Sequence, residues 1–247
     1  MMTEMALLTG RSIKRFSRTP PLIIISFAFP VVLMFTILPV YGGLIGDDYI
    51  QRFAPLIALS TATFGMPPSA LGLFTDFRSG IFTRLRTMPL SAGSTITGRL
   101  AGDVLRIVAV AAVTILVAHI PGFRFTNGVL PVLGFFAVLA VFGAMCTAVS
   151  LLIALTAPDA DTVQGSLGAP TTLAFFLSSG FIPVEAYPGW IQPVVQANPL
   201  STASNALIGL ASGGPVLVPV LQTLAWAVGL GGLCGLLAVR AYRKQSA

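Results

Sequence analysis

Long apolar runs separated by short polar links are the feature that most constrains how this chain folds. A helix needs about 20 apolar residues to cross the hydrocarbon core of a bilayer. Only 9% of the residues are charged, against roughly 25% in a soluble domain. The sequence therefore predicts an all-α integral membrane protein with six transmembrane helices. These predicted spans lie near residues 22–44, 53–74, 100–120, 130–155, 165–182 and 216–239.

The six spans belong to one transmembrane domain, residues 21–247, which follows a short N-terminal stretch. Residues 1–20 place Met5, Leu8 and Phe16 on one helical face. This pattern is typical of a cytoplasmic amphipathic helix that lies in the membrane interface. The alternative is a basic flank that only sets orientation, and both can hold. The basic residues on the opposite face are Arg11, Lys14, Arg15 and Arg18.

The basic residues are distributed unequally between the two sides of the predicted bundle. Cytoplasmic links carry an excess of Lys and Arg, so both termini are expected in the cytoplasm. An even number of spans satisfies this arrangement. One side carries only Arg52 and Arg124. The other carries Arg11, Lys14, Arg15, Arg18, Arg78, Arg84, Arg86, Arg99, Arg240, Arg243 and Lys244.

Prolines interrupt the apolar runs. Neighbouring helices in a membrane can satisfy the backbone groups that proline leaves free, so Pro67 and Pro68 in the second span predict a kinked or broken helix. Pro30 and Pro39 have the same effect in the first. The longest link, residues 183–215, combines prolines with apolar residues that need cover. We expect it to form external re-entrant helices before the sixth span.

The residues needed for catalysis are missing. A phosphate-binding loop ends in Lys followed by Ser or Thr, and neither Lys14 nor Lys244 has that neighbour. The single histidine, His119, lies at a predicted helix end, and Asp47 and Asp48 are interpreted as a solvated turn. We therefore expect no catalytic residue, no metal site and no enzyme activity in this chain. Basic residues that flank apolar runs indicate membrane lipid, not nucleic acid, as the partner.

Ion-driven transport usually needs ionisable groups at mid-membrane depth. Asp103 and Arg106 are the candidates, three residues apart on one helical face, where they can pair locally. We interpret them as a pair that anchors the cytoplasmic end of the third span, which argues against ion-driven coupling.

The loop between the second and third spans carries the most informative pattern. It reads as a short cytoplasmic helix with arginines on one side and Phe77, Ile81 and Leu85 on a compact apolar face, ended by Pro89. An amphipathic helix of this kind can dock in a groove of a partner protein.

At these residues the sequence resembles the permease subunits of type-2 ABC transporters, especially the daunorubicin-resistance permease family of actinobacteria. The resemblance covers most of the chain. Two external motifs agree with it, Gly180-Phe181-Ile182-Pro183 and Asn198-Pro199-Leu200. The loop positions that match are Gly80, Arg84, Leu85, Arg86, Pro89, Leu90, Gly98, Arg99, Gly102 and Asp103.

The resemblance implies the permease of an ATP-driven exporter in the bacterial plasma membrane, moving amphiphilic or hydrophobic drugs, antibiotics or lipids. It implies two copies of an ATP-binding subunit, which bind ATP and Mg, and a second permease that is identical or homologous. This chain would hold no cofactor. The coupling residues would be Phe77, Arg78, Ile81, Phe82, Arg84 and Arg86. The path between the second and fifth spans would include Phe64, Met66, Phe175, Phe176 and Ser179.

Two other classes stay open on the sequence. One is a secondary carrier or channel that works without an ATPase, which a self-sufficient ion-dependent flux would reveal. The other is a membrane scaffold or immunity protein that binds a partner without transport. Co-isolation with an ATPase that depends on this chain favours the exporter.

Overall fold

The computed structural model describes residues 20–46, 48–78 and 92–244. No β-strand occurs in these ranges, which confirms the all-α prediction. A 3-10 turn, Val184–Ala186, precedes α7, and a π-helical turn, Ala227–Gly231, joins the last two helices. The helices are α1 (Pro20–Ile45), α2 (Tyr49–Thr63), α3 (Met66–Arg78), α4 (Ala92–Ala118), α5 (Val129–Thr156), α6 (Ala160–Phe176), α7 (Gln192–Ala197), α8 (Pro199–Ser212), α9 (Leu217–Trp226) and α10 (Gly232–Lys244).

Among the described residues, four helical stretches are long and apolar enough to cross a membrane: Tyr49–Arg78, Leu100–Ala118, Val129–Thr156 and Leu217–Tyr242. A shorter apolar stretch, Ala28–Gly43, belongs to α1. The chain is therefore a multi-pass membrane protein. Helix α6 has only 17 residues; it overlaps the predicted fifth span, 165–182, but begins at Ala160 and ends at Phe176. The count of six spans stays a prediction.

Helix α5 forms the centre of the bundle. It packs against α2, α3, α4, α6, α8, α9 and α10. Phe135, Leu139 and Phe142 are among its buried side chains. Because lipid tails are as apolar as these side chains, close packing is a larger part of the helix association energy here than in a water-soluble core. The other long helices are thus held in place through α5, except α1, which packs against α2 and α4.

The predicted second span is broken, as the prolines indicate. Helix α2 ends at Thr63 and α3 begins at Met66. Pro67 and Pro68 lack backbone N–H groups, so the carbonyls of Thr63 and Phe64 lose the donors that a continuous helix would give them. Pro30 and Pro39, in contrast, lie within α1. A break inside a span is tolerated where the backbone is buried in protein or lines a cavity.

The long link before the last helices is mostly helical. Helix α8 is largely buried and packs against α2, α5 and α9. Its apolar residues are therefore covered by neighbouring helices, as the sequence predicts. Trp190 is 79% exposed, which suits an aromatic residue at a membrane interface. The re-entrant course of this segment stays a prediction.

Two predicted elements lie outside the described residues. The interfacial helix at residues 1–20 is outside except for its last residue, and so is the coupling helix between Arg78 and Ala92.

Candidate transport path and coupling junction

Two of the six predicted coupling residues, Phe77 and Arg78, are described, and both lie at the end of α3. The ring of Phe77 contacts that of Tyr242 in α10, with centroids 5.9 Å apart. Arg78 donates a hydrogen bond from Nη2 to the carbonyl of Pro158, in the link between α5 and α6. Its guanidinium also lies 5.2 Å from the ring centroid of Phe74. Ile81, Phe82, Arg84 and Arg86 are outside the described residues.

The α5–α6 link also caps α6. The backbone N–H of Thr162 donates to Asp159 Oδ1 at 2.7 Å, the usual role of an N-cap aspartate. This backbone bond, the Thr162 hydroxyl and, more weakly, the Arg78 guanidinium hold the pKa of Asp159 below its usual range. The carboxylate therefore stays charged beside Arg78.

The ends of α3, α6 and α10 thus meet at one place, called here the coupling junction. Its α3 residues are among those predicted from the sequence, whereas the others are not. The Asp-x-x-Thr spacing of a helix N-cap was the available signal for Asp159, whereas no local pattern pointed to Tyr242. The junction comprises Phe77, Arg78, Pro158, Asp159 and Tyr242.

Three of the five predicted path residues lie together. Phe64 contacts Phe175 with ring centroids 5.1 Å apart, and Phe175 contacts Phe176 at 5.4 Å. Further rings extend the row at both ends: Phe29 lies 5.2 Å from Phe64, and Phe181 lies 5.1 Å from Phe176. Phe181 in turn contacts Phe53, whose ring stacks on that of Tyr49. We call the whole row the aromatic column. Its members are Phe29, Phe64, Phe175, Phe176, Phe181, Phe53 and Tyr49.

The other two predicted path residues lie apart from the phenylalanines. Met66 is buried at the start of α3, and its carbonyl faces the Ser150 hydroxyl of α5 at 3.4 Å. Ser179 lies after α6, where its backbone N–H donates to Ser201 Oγ at 3.0 Å. Its carbonyl accepts a hydrogen bond from Arg52 Nη1 at 3.0 Å.

Side chains from several elements bind the backbone carbonyls in the last turn of α6 and just after it. Asn198 Nδ2 donates to the carbonyls of Ala174 and Leu177, at 2.7 and 2.9 Å. The Tyr187 hydroxyl lies 2.7 Å from the Phe176 carbonyl, and burial raises its pKa to about 12, so it keeps its proton. We call this arrangement the outer seal. Its donors are Tyr49, Arg52, Tyr187 and Asn198.

A cavity of about 280 Å³ lies beside the aromatic column, between α1, α2, α4 and the start of α3. Arg106 is the charged residue in its wall. Arg106 Nε lies 3.9 Å from Asp103 Oδ1, which confirms the local pair that their spacing predicts. No pattern in the sequence predicts this cavity. Its lining residues are Phe29, Pro30, Ser60, Thr61, Phe64, Gly65, Pro68, Arg106, Ile107 and Val110.

Comparison with known proteins agrees with this helical membrane architecture. The family model for the ABC-2 type transporter matches residues 3–211. The chain is 31% identical to the probable doxorubicin resistance ABC transporter permease protein DrrC of Mycobacterium tuberculosis, over 96% of this chain and 87% of that protein. It is 32% identical to the daunorubicin resistance ABC transporter permease protein DrrB1 of Streptomyces coeruleorubidus, over 96% and 85%. This chain therefore belongs to the ABC-2 type transporter family.

Proposed function

We propose that this chain is the permease subunit of an ATP-driven exporter that moves amphiphilic or hydrophobic drugs, antibiotics or lipids out of the cell. The observation that carries the proposal is the match along 96% of the chain to permeases named for doxorubicin and daunorubicin resistance. The two relatives are matched over 87% and 85% of their own lengths, so the correspondence extends through nearly the whole permease.

The proposed assembly pairs this chain with a second permease, identical or homologous, on two ATP-binding subunits that hold ATP and Mg. Both termini and the loop after α3 face the cytoplasm of a bacterial plasma membrane. Six spans and external re-entrant helices before the last one complete the subunit. The excess of basic residues in the proposed cytoplasmic links supports this orientation.

The coupling junction gives a physical route from the ATP-binding subunit to the aromatic column. Movement of the loop after Arg78 displaces the end of α3, and the Arg78–Pro158 hydrogen bond passes that displacement to the start of α6. Helix α6 has 17 residues, roughly 25 Å at 1.5 Å per residue, and it carries Phe175 and Phe176 near its other end.

The aromatic column supplies a surface suited to flat, apolar substrates. Aromatic rings stack on one another in offset or edge-to-face geometry, so a polycyclic drug can exchange one ring contact for the next along the row. Phe64 directly follows the end of α2, whereas Phe175 lies in α6. Separation of α2 from α6 would therefore open the row to a substrate.

Reconstitution tests the function. The chain and its ATP-binding subunit are placed in sealed vesicles, and daunorubicin fluorescence is followed across the membrane. We expect transport that requires ATP and Mg and does not respond to a proton or sodium gradient. The double variant Arg84→Glu, Arg86→Glu should insert normally and lose ATP-driven flux, whereas Arg124→Glu, in a proposed external link, should keep it. Flux that follows an ion gradient without ATP would instead establish a secondary carrier.

A further inference from the structure

The cavity beside the aromatic column combines an apolar wall with one cation. Phe29, Phe64 and Val110 contribute apolar surface, while Arg106 contributes a guanidinium. Phe29 is 43% exposed and Pro68 is exposed, so the cavity reaches the surface of the bundle between α1 and α3. Its mouth is open to a molecule that approaches from the bilayer or from a neighbouring subunit.

Arg106 lies well inside an apolar helix. It follows Leu100, where the apolar stretch Leu100–Ala118 begins, by six residues, or roughly 9 Å of helix. An ionisable residue at such a position is costly, and where it occurs it usually faces a partner, a cavity or a pathway. The Arg106 side chain is 20% exposed.

The two members of the Asp103–Arg106 pair face different spaces. Asp103 lines a separate small pocket with Ser150, where the Ser69 hydroxyl donates to Asp103 Oδ2 at 2.7 Å. Arg106 lines the large cavity, and its Nη2 reaches to 3.4 Å from the place where a Cβ on Gly65 would stand. The Nε contact with Asp103 is long, at 3.9 Å. The positive end of the pair is therefore presented to the cavity and the negative end is held elsewhere.

The hydroxyl groups in the cavity wall donate their protons to backbone carbonyls of their own helix. Ser60 Oγ donates to the carbonyl of Ile57 at 2.7 Å, and Thr61 Oγ1 donates to that of Ala58 at 2.7 Å. Each hydroxyl has a single proton, so neither is left to donate to a ligand, and the Thr61 oxygen, on a residue that is 9% exposed, can only accept. The donor capacity that the cavity wall offers an anion therefore belongs to Arg106.

We propose that this cavity binds the anionic head of an amphiphile, a phosphate or carboxylate on an apolar body, through the guanidinium of Arg106. Guanidinium matches carboxylate and phosphate by paired hydrogen bonds, and the apolar body lies against Phe29 and Phe64. A hydroxyl group on the head donates to Thr61 Oγ1. Binding itself does not depend on the proposed export; that the bound amphiphile is cargo rests on the proposed function.

The test uses the full chain in phosphatidylcholine nanodiscs, with a phosphatidylglycerol probe that carries a photoactivatable acyl chain. The matching phosphatidylcholine probe is the control for headgroup charge. We expect the anionic probe to label α1, α2 and α4 around the cavity and to be displaced by dodecyl phosphate but not by dodecanol. Loss of a charge-assisted hydrogen bond predicts roughly tenfold to hundredfold weaker labelling in Arg106→Gln.

Three further variants separate binding from folding. Arg106→Lys keeps the charge and should retain part of the labelling. Val110→Phe fills the cavity without touching the charge and should abolish labelling. Asp103→Asn removes the competing carboxylate and should label at least as strongly as the natural chain. Equal labelling by the two probes, full labelling of Arg106→Gln, or full labelling of Val110→Phe would each overturn the proposal.

Addition of the ATP-binding subunit and ATP distinguishes the two sources of such a ligand. Labelling that falls during ATP turnover identifies cargo, and labelling that stays constant identifies a resident lipid. Both results support the anion site. A complex that fails to move daunorubicin with ATP contradicts the proposed function but leaves the labelling without ATP unchanged.

Discussion

Two helix interruptions in this bundle are built in opposite ways. Between α2 and α3, at Phe64 and Gly65, prolines withdraw backbone donors and the neighbouring space is a cavity. At the end of α6, over residues 174–181, side chains from four separate positions donate hydrogen bonds to backbone carbonyls. Irregular backbone within a membrane protein persists only where it is buried or lines a cavity. In this chain the α2–α3 break lines a cavity, whereas the interruption at the end of α6 is covered by hydrogen-bonding side chains.

This difference indicates which interruption is held in one conformation and which can change conformation. The outer seal is held by several hydrogen bonds at once, and loss of the buried Tyr49 bond would leave the Phe181 carbonyl without its donor, a cost of about 1–3 kcal/mol. The α2–α3 break is bordered by empty volume, where a ligand or a rearranged side chain can be accommodated at low cost. We infer that the outer seal holds the end of α6 in place while the α2–α3 break admits change.

The largest expected effect comes from overfilling the outer seal with Gly180→Ala. A Cβ at this position would stand 2.1 Å from Ser204 Oγ and 3.0 Å from Leu56 Cβ, so either the α6 end or α8 must shift. Overpacking typically costs 1–3 kcal/mol, and we expect a loss of about 3 kcal/mol in the free energy of unfolding, measured by thermal unfolding in detergent.

Two comparisons control that prediction. Gly189→Ala, in the same link but with open space around the added Cβ, should unfold like the natural chain. Adding Ser204→Ala to Gly180→Ala removes the closest clashing atom and should recover part of the loss. Full stability of Gly180→Ala would contradict the tight contact between this segment and α8.

An intermediate effect is expected from Asn198→Asp. The carboxylate keeps the oxygen that caps α8 by accepting from the backbone N–H of Leu200 at 2.9 Å, but it loses the Nδ2 donor to two carbonyls. We expect a loss of about 2 kcal/mol in unfolding free energy. Comparison with Asn198→Ala separates the two roles, because alanine loses the cap as well. If the aspartate variant is as stable as the natural chain, Asn198 does not hold the end of α6.

The smallest stability effect is expected at the α2–α3 break, from Pro67→Ala with Pro68→Ala. Each of the two restored N–H groups can stabilise the folded chain by about 0.5–1.5 kcal/mol. Each proline removed makes the unfolded chain more flexible, which destabilises the folded state by about 0.4–1 kcal/mol. The terms nearly cancel, so thermal unfolding should change by less than about 1 kcal/mol. The straightened helix should nevertheless narrow the cavity and reduce daunorubicin transport.

The exposed Pro193 of α7 provides the matched control for the proline substitutions. Its replacement by Ala restores no interior helix bond, so transport should be retained. Loss of transport in that variant too would mean that the effect is not specific to the α2–α3 break.

Agreement between sequence and structure is best where a helix is long and uninterrupted. Helix α5 runs from Val129 to Thr156, close to the predicted 130–155, because its apolar run alone defines it. Helix α6 ends at Phe176, not near residue 182. The donors that stabilise the shorter end, such as Asn198 and Tyr187, lie far along the chain, and no periodicity around residue 177 reveals them.

The sequence by itself determined the membrane class, the helical architecture, the break near Pro67 and the local pair of Asp103 with Arg106. Each of these depends on composition or on residues within one or two helical turns. Only the tertiary structure decided that Phe64 meets Phe175, that Tyr242 joins the coupling junction, and that Arg106 faces a cavity while Asp103 faces another pocket. Those contacts depend on which helix faces meet. That choice follows from the packing of the whole bundle around α5, and no single segment carries it.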